Sequence, residues 1–493
     1  MRIAASDFHA YHKPSTCPLR IYLLAAGDSP SPPGPLDDLL MKLGDRHEAE
    51  HRSSFPRVVD LGGLPFSEKV RRTREEIARS APVIYQGAFT ADLDGAGGKI
   101  AVSGQPDFLV YRDGGYILRD CKLARRINEE DHPDIIAQLD LYRYLYNRAT
   151  GRCPVRVEVF SGSGDLVEIP YPGDDAVLSR VDELARIKSL SCEPFTPVGW
   201  SKCSGCGFFQ RCWPLAEKRR DIATVPDVTL GLSAALRDRG VVSYDDLLNR
   251  FSAEDLAELK VPHGKTSRKV GVKAGRILVN AQAISGGREI ITGRAGIPEA
   301  GSYAMFDLEG LPPYLDELDK IYLWGVKVMG DEPSDFMPAL AGFGPGGDRE
   351  GWEGFLRICT QVFERYGDVP FVHWSSYERT KVRGYLGRYG DRGGAGDRVL
   401  NNLFDLLPAV RGCIALPVPS YSLKVVERHI GFDRTMDEFG GEWAIAKYIE
   451  AVETDDEKVR KEIMDTLLKY NEEDLDATWA VMEWFRNKIK GGR

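Results

Sequence analysis

Between Tyr85 and Lys122 apolar and polar residues alternate, the run is interrupted by the turn sequences DGAGG and RDGG, and it ends in YILRDCKL. A period of two sends successive side chains to opposite faces of a strand, so the stretch predicts a run of strands. The next segment, HPDIIAQLDLYRYLYNRA, reads as a helix packed on that sheet. Asp107 in GQPDF opens one strand, and Asp120 and Lys122 lie two apart on the next, projecting from one face. Paired carboxylates hold a hard divalent cation, and an adjacent ammonium positions water or stabilises a developing pentacovalent phosphate. That set suits metal-dependent phosphodiester hydrolysis, against the plainer reading of a surface ion pair after a hairpin. Gln138 and Tyr142 share one face of the following helix at i and i+4.

At 493 residues the chain exceeds one ordinary core, and roughly 100–200 residues per domain predicts two to four. The 43% hydrophobic and 28% charged content is that of globular protein, and no apolar run is long enough to span a membrane. MRIAASDFHAYHKPSTC lacks the continuous apolar stretch of a signal peptide, so a cytoplasmic location is expected. A net charge of −9 argues against coating nucleic acid by bulk charge, though acidic metal sites can hide a local basic groove.

Upstream, GDRHEAE offers His47, an imidazole suited to Mn²⁺. GDRHE, GQPDF, RDCK and QxxxY, in this order, resemble the RecB-type nuclease domain of the PD-(D/E)XK superfamily over roughly residues 1–215. The resemblance implies His47, Asp107 and Asp120 as metal ligands, joined by the Cys121 carbonyl, and Lys122 as the catalytic lysine. It places Gln138 and Tyr142 beside the site, in contact with substrate or lysine, and leaves the Cys121 side chain as a buried filler.

KCSGCGFFQRCW supplies Cys203, Cys206 and Cys212, one thiolate short of a four-ligand metal site. RecB-like nucleases of the AddB and CRISPR-associated kinds carry a [4Fe–4S] cluster on one cysteine before the nuclease core and three after it. That resemblance implies Cys17 as the fourth ligand, with tetrahedral zinc as the alternative metal and Cys192 as a competing local ligand. Its role would be structural, pinning the N-terminal segment to the end of the fold.

Residues 224–286 carry short helical pieces, LSAALRDRG, SYDDLLNRF, SAEDLAELK and KAGRILVNAQAI. With Lys265, Arg268, Lys269 and Lys273 they read either as a helix-hairpin-helix element gripping phosphates or as a helical linker with a solvated basic face. Beyond 300, MFDLEG puts Asp307 and Glu309 on one strand face, and LLKYNEEDLDATW puts Tyr470 and Asp474 one helical turn apart. Residues 303–488 resemble a DEDD exonuclease of the DnaQ-related, RNase H-like kind. The resemblance implies Asp307, Glu309, Glu378 and Asp474 as ligands of two Mg²⁺ or Mn²⁺ ions, with Tyr470 orienting the attacking water. Glu378 stands where the family has Asp, Asp405 is the runner-up, and Lys424 is expected on the phosphate backbone.

The expected architecture is α/β multidomain. A restriction-endonuclease-like mixed sheet with flanking helices occupies 1–222, a small helix-hairpin-helix-like domain 223–298, and an RNase H-like α/β domain 299–493. The expected activity is a metal-dependent nuclease with two potential sites, acting on single-stranded or frayed DNA in repair, recombination or defence. RNA is kept open as a substrate, and a nucleic-acid-binding scaffold with silent sites is the alternative. No Walker A sequence is present, so a separate helicase is the expected partner for unwinding.

Overall fold

The computed structural model describes residues 1–95, 98–263, 266–294, 296–312, 319–344, 346–436 and 440–491. It is mixed α/β and divides into two compact units. Of the described residues, the first comprises those within 1–196 and 201–210, and the second those within 197–200, 211–312 and 319–491. Segment 223–298 therefore falls in the same unit as the C-terminal sheet.

The first unit is built on a six-stranded sheet in the order Val59–Asp60, Val83–Tyr85, Phe108–Arg112, Gly115–Cys121, Val157–Phe160, Leu166–Glu168. Phe108–Arg112 and Gly115–Cys121 pair antiparallel as the alternation predicts, while Gly115–Cys121 runs parallel to Val157–Phe160. A second sheet pairs Arg2–Ala4 with Gly98–Gly104 and that strand with Phe89–Gly95. Within the DGAGG turn, Ala96 and Gly97 lie outside the described residues. The helix Pro133–Thr150 starts on proline, whose missing N–H costs nothing at a first turn, and ends on Gly151 at φ 69°. Its Leu139, Tyr142, Leu145 and Tyr146 share one core with Leu118, Val157 and Val159.

The second unit is organised by a five-stranded sheet, ordered Met337–Leu340, Ile321–Gly330, Ser302–Gly310, Phe371–His373, Leu403–Asp405. The first three strands are antiparallel, and the last two join parallel to Ser302–Gly310 and to each other. In Ser302–Gly310 the period of two decides the layers. Ala304, Phe306 and Leu308 enter a core with Trp324, Trp352 and Phe355, whereas Tyr303 and Met305 enter another with Leu475, Val481 and Phe485. Asp307 and Glu309 continue the second set, so they face the layer of the 35-residue helix Glu457–Gly491.

The 224–286 pieces form helices Leu230–Arg237, Tyr244–Arg250, Ala253–Glu258 and Lys273–Gly286 around their own core of Leu232, Leu236, Leu247, Leu256 and Ile277. Ser243 and Ser252 cap two of them, each accepting from the N3 backbone amide. The basic connection before the last helix is a two-stranded hairpin, Lys260–His263 with Thr266–Lys269. The clamp of Asp227 on Arg276 at 2.9 Å and on Arg411 at 2.6 Å ties these helices to the helix Leu406–Cys413 within the unit.

Candidate active sites

In the first unit the strand order brings Asp107 against Asp120. The Asp107 amide donates to Asp120 Oδ1 at 3.1 Å, and the Cys121 amide donates to Asp107 Oδ2 at 2.8 Å. Lys122 Nζ lies 2.8 Å from Asp120 Oδ2. Burial first, and the neighbouring Asp120 charge second, push the Asp107 carboxyl well above its ordinary range. Tyr142 is buried, accepts from Gln138 Nε2 at 2.8 Å, and lies close enough to both aspartates to feel their charge. Five predicted residues, Asp107, Asp120, Lys122, Gln138 and Tyr142, thus gather at one end of the sheet. The Cys121 thiol is pushed far up by burial, which suits a filler and not a nucleophile.

His47 sits at the edge of this group. Its Nε2 donates to the Phe160 carbonyl at 3.2 Å, and its ring stacks on Phe160 at 4.8 Å. The next residue, Glu48, accepts from the Tyr85 hydroxyl, lies 3.3 Å from Gln86 Nε2, and adds its charge to Asp107, Cys121 and Tyr142. Successive helical residues point about 100° apart, so either residue of the His-Glu pair in GDRHEAE is a possible neighbour of the aspartates by sequence. Packing sets Glu48 among them.

Cys17 is the N-cap of the helix Pro18–Ala26, and Cys206 Sγ lies 3.8 Å from Arg20 Nη1 on that helix. The Ser31 amide donates to the Gly207 carbonyl at 2.8 Å, so Cys203–Gly207 packs on the N-terminal segment. Cys212 belongs to the second unit, and Cys192 is exposed.

In the second unit Asp307, Glu309 and Asp474 each place a carboxylate oxygen within 4.8 Å of the others. Hard oxygen donors from three buried or half-buried acids fit Mg²⁺ or Mn²⁺. Burial, reinforced by the Asp474 charge, raises Asp307 well above its ordinary range and Glu309 to about 8. Glu378 is not in that trio. It lies near enough to raise Asp307 further, and its Oε2 is 3.1 Å from His373 Nδ1 in the interior. Asp405 caps the helix Leu406–Cys413, accepting from the Leu407 amide at 3.1 Å and the Ser375 amide at 3.0 Å. That capping role accounts for its acid.

Tyr470 is 2% exposed, and burial followed by the charges of Glu309 and Asp474 drives its phenol far up, so it stays protonated. Lys424 pairs with Asp474 rather than standing clear of the acids, and its Nζ lies 4.7 Å from the centre of the Tyr470 ring. Two residues of this site carry no local sequence signal. Arg434 reaches Asp474 while gripping Glu427 at 2.7 and 2.8 Å, and Asn471 Nδ2 donates to Asp307 Oδ2 at 2.7 Å.

Of the predicted basic contacts, Arg268, Lys269 and Lys273 are exposed, Lys269 pairs with Glu258, and Lys265 lies outside the described residues. Among the described residues no helix is long and apolar enough to cross a membrane.

No curated protein matches the chain. A solved structure described as "Crystal structure of SSO0001" is 16% identical, over 43% of this chain and 85% of its own, with a TM-score of 0.27. Residues 304–486, the segment that carries Asp307, Glu309, Tyr470 and Asp474, match the RNase H superfamily, which associates the C-terminal sheet with nuclease-type phosphodiester hydrolysis.

Proposed function

We propose that this protein is a metal-dependent nuclease acting on single-stranded or frayed DNA, with its better supported site in the C-terminal sheet. The observation that carries the reading is the convergence of Asp307, Glu309 and Asp474 within 4.8 Å, inside the segment that matches the RNase H superfamily. These three acids would hold Mg²⁺ or Mn²⁺, which when bound lowers the pKa of water and neutralises charge on the phosphate. Tyr470, kept protonated by its burial, donates a hydrogen bond that orients the attacking water. Asn471 and Arg434 fix the carboxylates of Asp307 and Asp474, so little reorganisation remains when substrate binds.

A second site is assigned to the first unit. There His47, Asp107 and Asp120 are the metal ligands, with Glu48 next to them, Lys122 as the fixed positive charge beside the phosphate, and Gln138 and Tyr142 beside it. Support comes from the gathering of these residues at one end of the six-stranded sheet. The [4Fe–4S] assignment of Cys17, Cys203, Cys206 and Cys212 rests on the resemblance of their arrangement to that of RecB-like nucleases, one cysteine before the core and three after it. The exposed hairpin residues Arg268 and Lys269 and the adjacent Lys273 supply phosphate contacts outside the sites.

The test is cleavage of end-labelled single- and double-stranded DNA and RNA in Mg²⁺ or Mn²⁺ by the full chain, Lys122→Ala, Asp307→Ala and the double variant. Partial cleavage in each single variant with none in the double variant supports two sites. Equal persistence of every substrate with wild type and variants removes the enzyme reading and leaves a nucleic-acid-binding protein.

A further inference from the structure

We propose that Lys424 is an exchangeable cation of the C-terminal carboxylate site. It balances Asp474 in the absence of a divalent ion and carries its charge to a phosphate of the nucleic-acid strand when that ion binds. The inference rests on the nuclease reading above and deepens it.

The geometry that motivates it is a shared oxygen. Asp474 Oδ1 accepts from both Lys424 Nζ and Arg434 Nη2. The two cations differ in how firmly they are held. Arg434 has a side chain 3% exposed, and its Nε and Nη2 grip both oxygens of Glu427, itself 3% exposed, at 2.7 and 2.8 Å. Withdrawing that fork would strand a buried carboxylate, which is costly, so Arg434 stays. Lys424 is the second residue of the helix Leu423–Ile430, its side chain is 26% exposed, and its ammonium is a point charge on a flexible stem.

A divalent ion among Asp307, Glu309 and Asp474 brings two further positive charges to the same carboxylate, and at contact distances in a poorly screened site the repulsion is strong. The lysine is the cation able to yield. Its ammonium lies over the Tyr470 ring and pairs with Asp474, one helical turn further along the same helix, so a phosphate brought to the trio comes within its reach. A phosphate there is the nearest new anion, and lysine is an effective point-charge partner for it.

The experiment uses the full chain and two readouts besides activity. Free Mn²⁺ is followed by electron paramagnetic resonance, and the class of sites lost in Asp307→Asn identifies the C-terminal site. In Lys424→Gln and Lys424→Met this class is expected to tighten about tenfold, because a competing charge is gone. The second readout is binding of a short fluorescent single-stranded oligodeoxynucleotide in Ca²⁺ as a function of salt. Both Lys424 variants are expected to bind it more weakly and to lose about one unit of the log–log salt slope. Unchanged or weaker Mn²⁺ binding in both variants would overturn the exchange. Tighter Mn²⁺ with an unaltered salt slope would overturn the transfer to phosphate. If Asp307→Asn retains every class of Mn²⁺ site, the metal reading of the site itself fails, a result distinct from either.

Discussion

Asn471 donates through Nδ2 to Asp307 Oδ2 at 2.7 Å, and the residue paired with Asp307 on the neighbouring strand is Gly325. These two facts are one design. A Cβ at Gly325 would lie 1.8 Å from Asn471 Oδ1, so the missing side chain is the space the amide occupies. Gly325→Ala is therefore expected to destabilise the second unit by about 1–3 kcal/mol through overpacking. Because Asn471 must move, it is also expected to cut cleavage at this site. Urea denaturation and a cleavage assay on the same preparation check both, and a variant as stable and active as wild type would contradict the packing.

Metal removal should silence the protein. Dialysis against a chelator is expected to abolish cleavage, and Mg²⁺ or Mn²⁺ to restore it. Asp474→Asn should resist restoration at the C-terminal site, because the trio loses a charged ligand. In a Lys122→Ala background, which leaves the C-terminal site as the working one, that loss is expected to exceed a factor of about 100.

The first unit contains a pH-sensitive contact one helical turn from His47. His51 is buried, accepts from Arg119 Nη1 at 2.9 Å, and has its pKa lowered to about 4 by burial first and by the Arg119 charge second. An unfolded histidine titrates near 6.5, so between those values the unfolded chain binds the extra proton. The sign follows: stability is full above the unfolded value and falls as pH drops from about 6.5 toward 4, by on the order of 3 kcal/mol for this residue. His51→Gln is expected to gain melting temperature relative to wild type as pH falls from 7 to 4.5. A constant offset across that range would count against the assignment.

The cysteine assignment has a colour. Protein purified without oxygen is expected to show the visible charge-transfer absorption of an iron–sulfur cluster, and Cys17→Ser and Cys206→Ser to lose it. A colourless protein containing stoichiometric zinc would transfer the same residues to a tetrahedral site.

Much of each site was legible as local periodicity. Alternation in MFDLEG put Asp307 and Glu309 on one face, and the strand does so, with its apolar neighbours sorted into two cores by the same period. Helical spacing paired Gln138 with Tyr142, and the structure joins them by a hydrogen bond. The connection before Lys273 was less legible. Its turn residues are compatible with helix termini and with strands, and the cross-strand pairing that makes it a hairpin, Lys260 with Lys269 and Val261 with Arg268, is not a property of either segment alone.

By itself, then, the sequence determined which side chains share a face, because the period of a strand or helix is set by backbone geometry within a few residues. Only the tertiary structure decided which faces meet. It selected Glu48 alongside His47 at the first site, brought Asn471 and Arg434 to the acids of the second, seated Lys424 on Asp474, and gave Asp405 to a helix cap. Those choices depend on close packing between segments far apart in the chain, where a neighbour's missing Cβ or a buried counter-charge settles the partner and no short window records it.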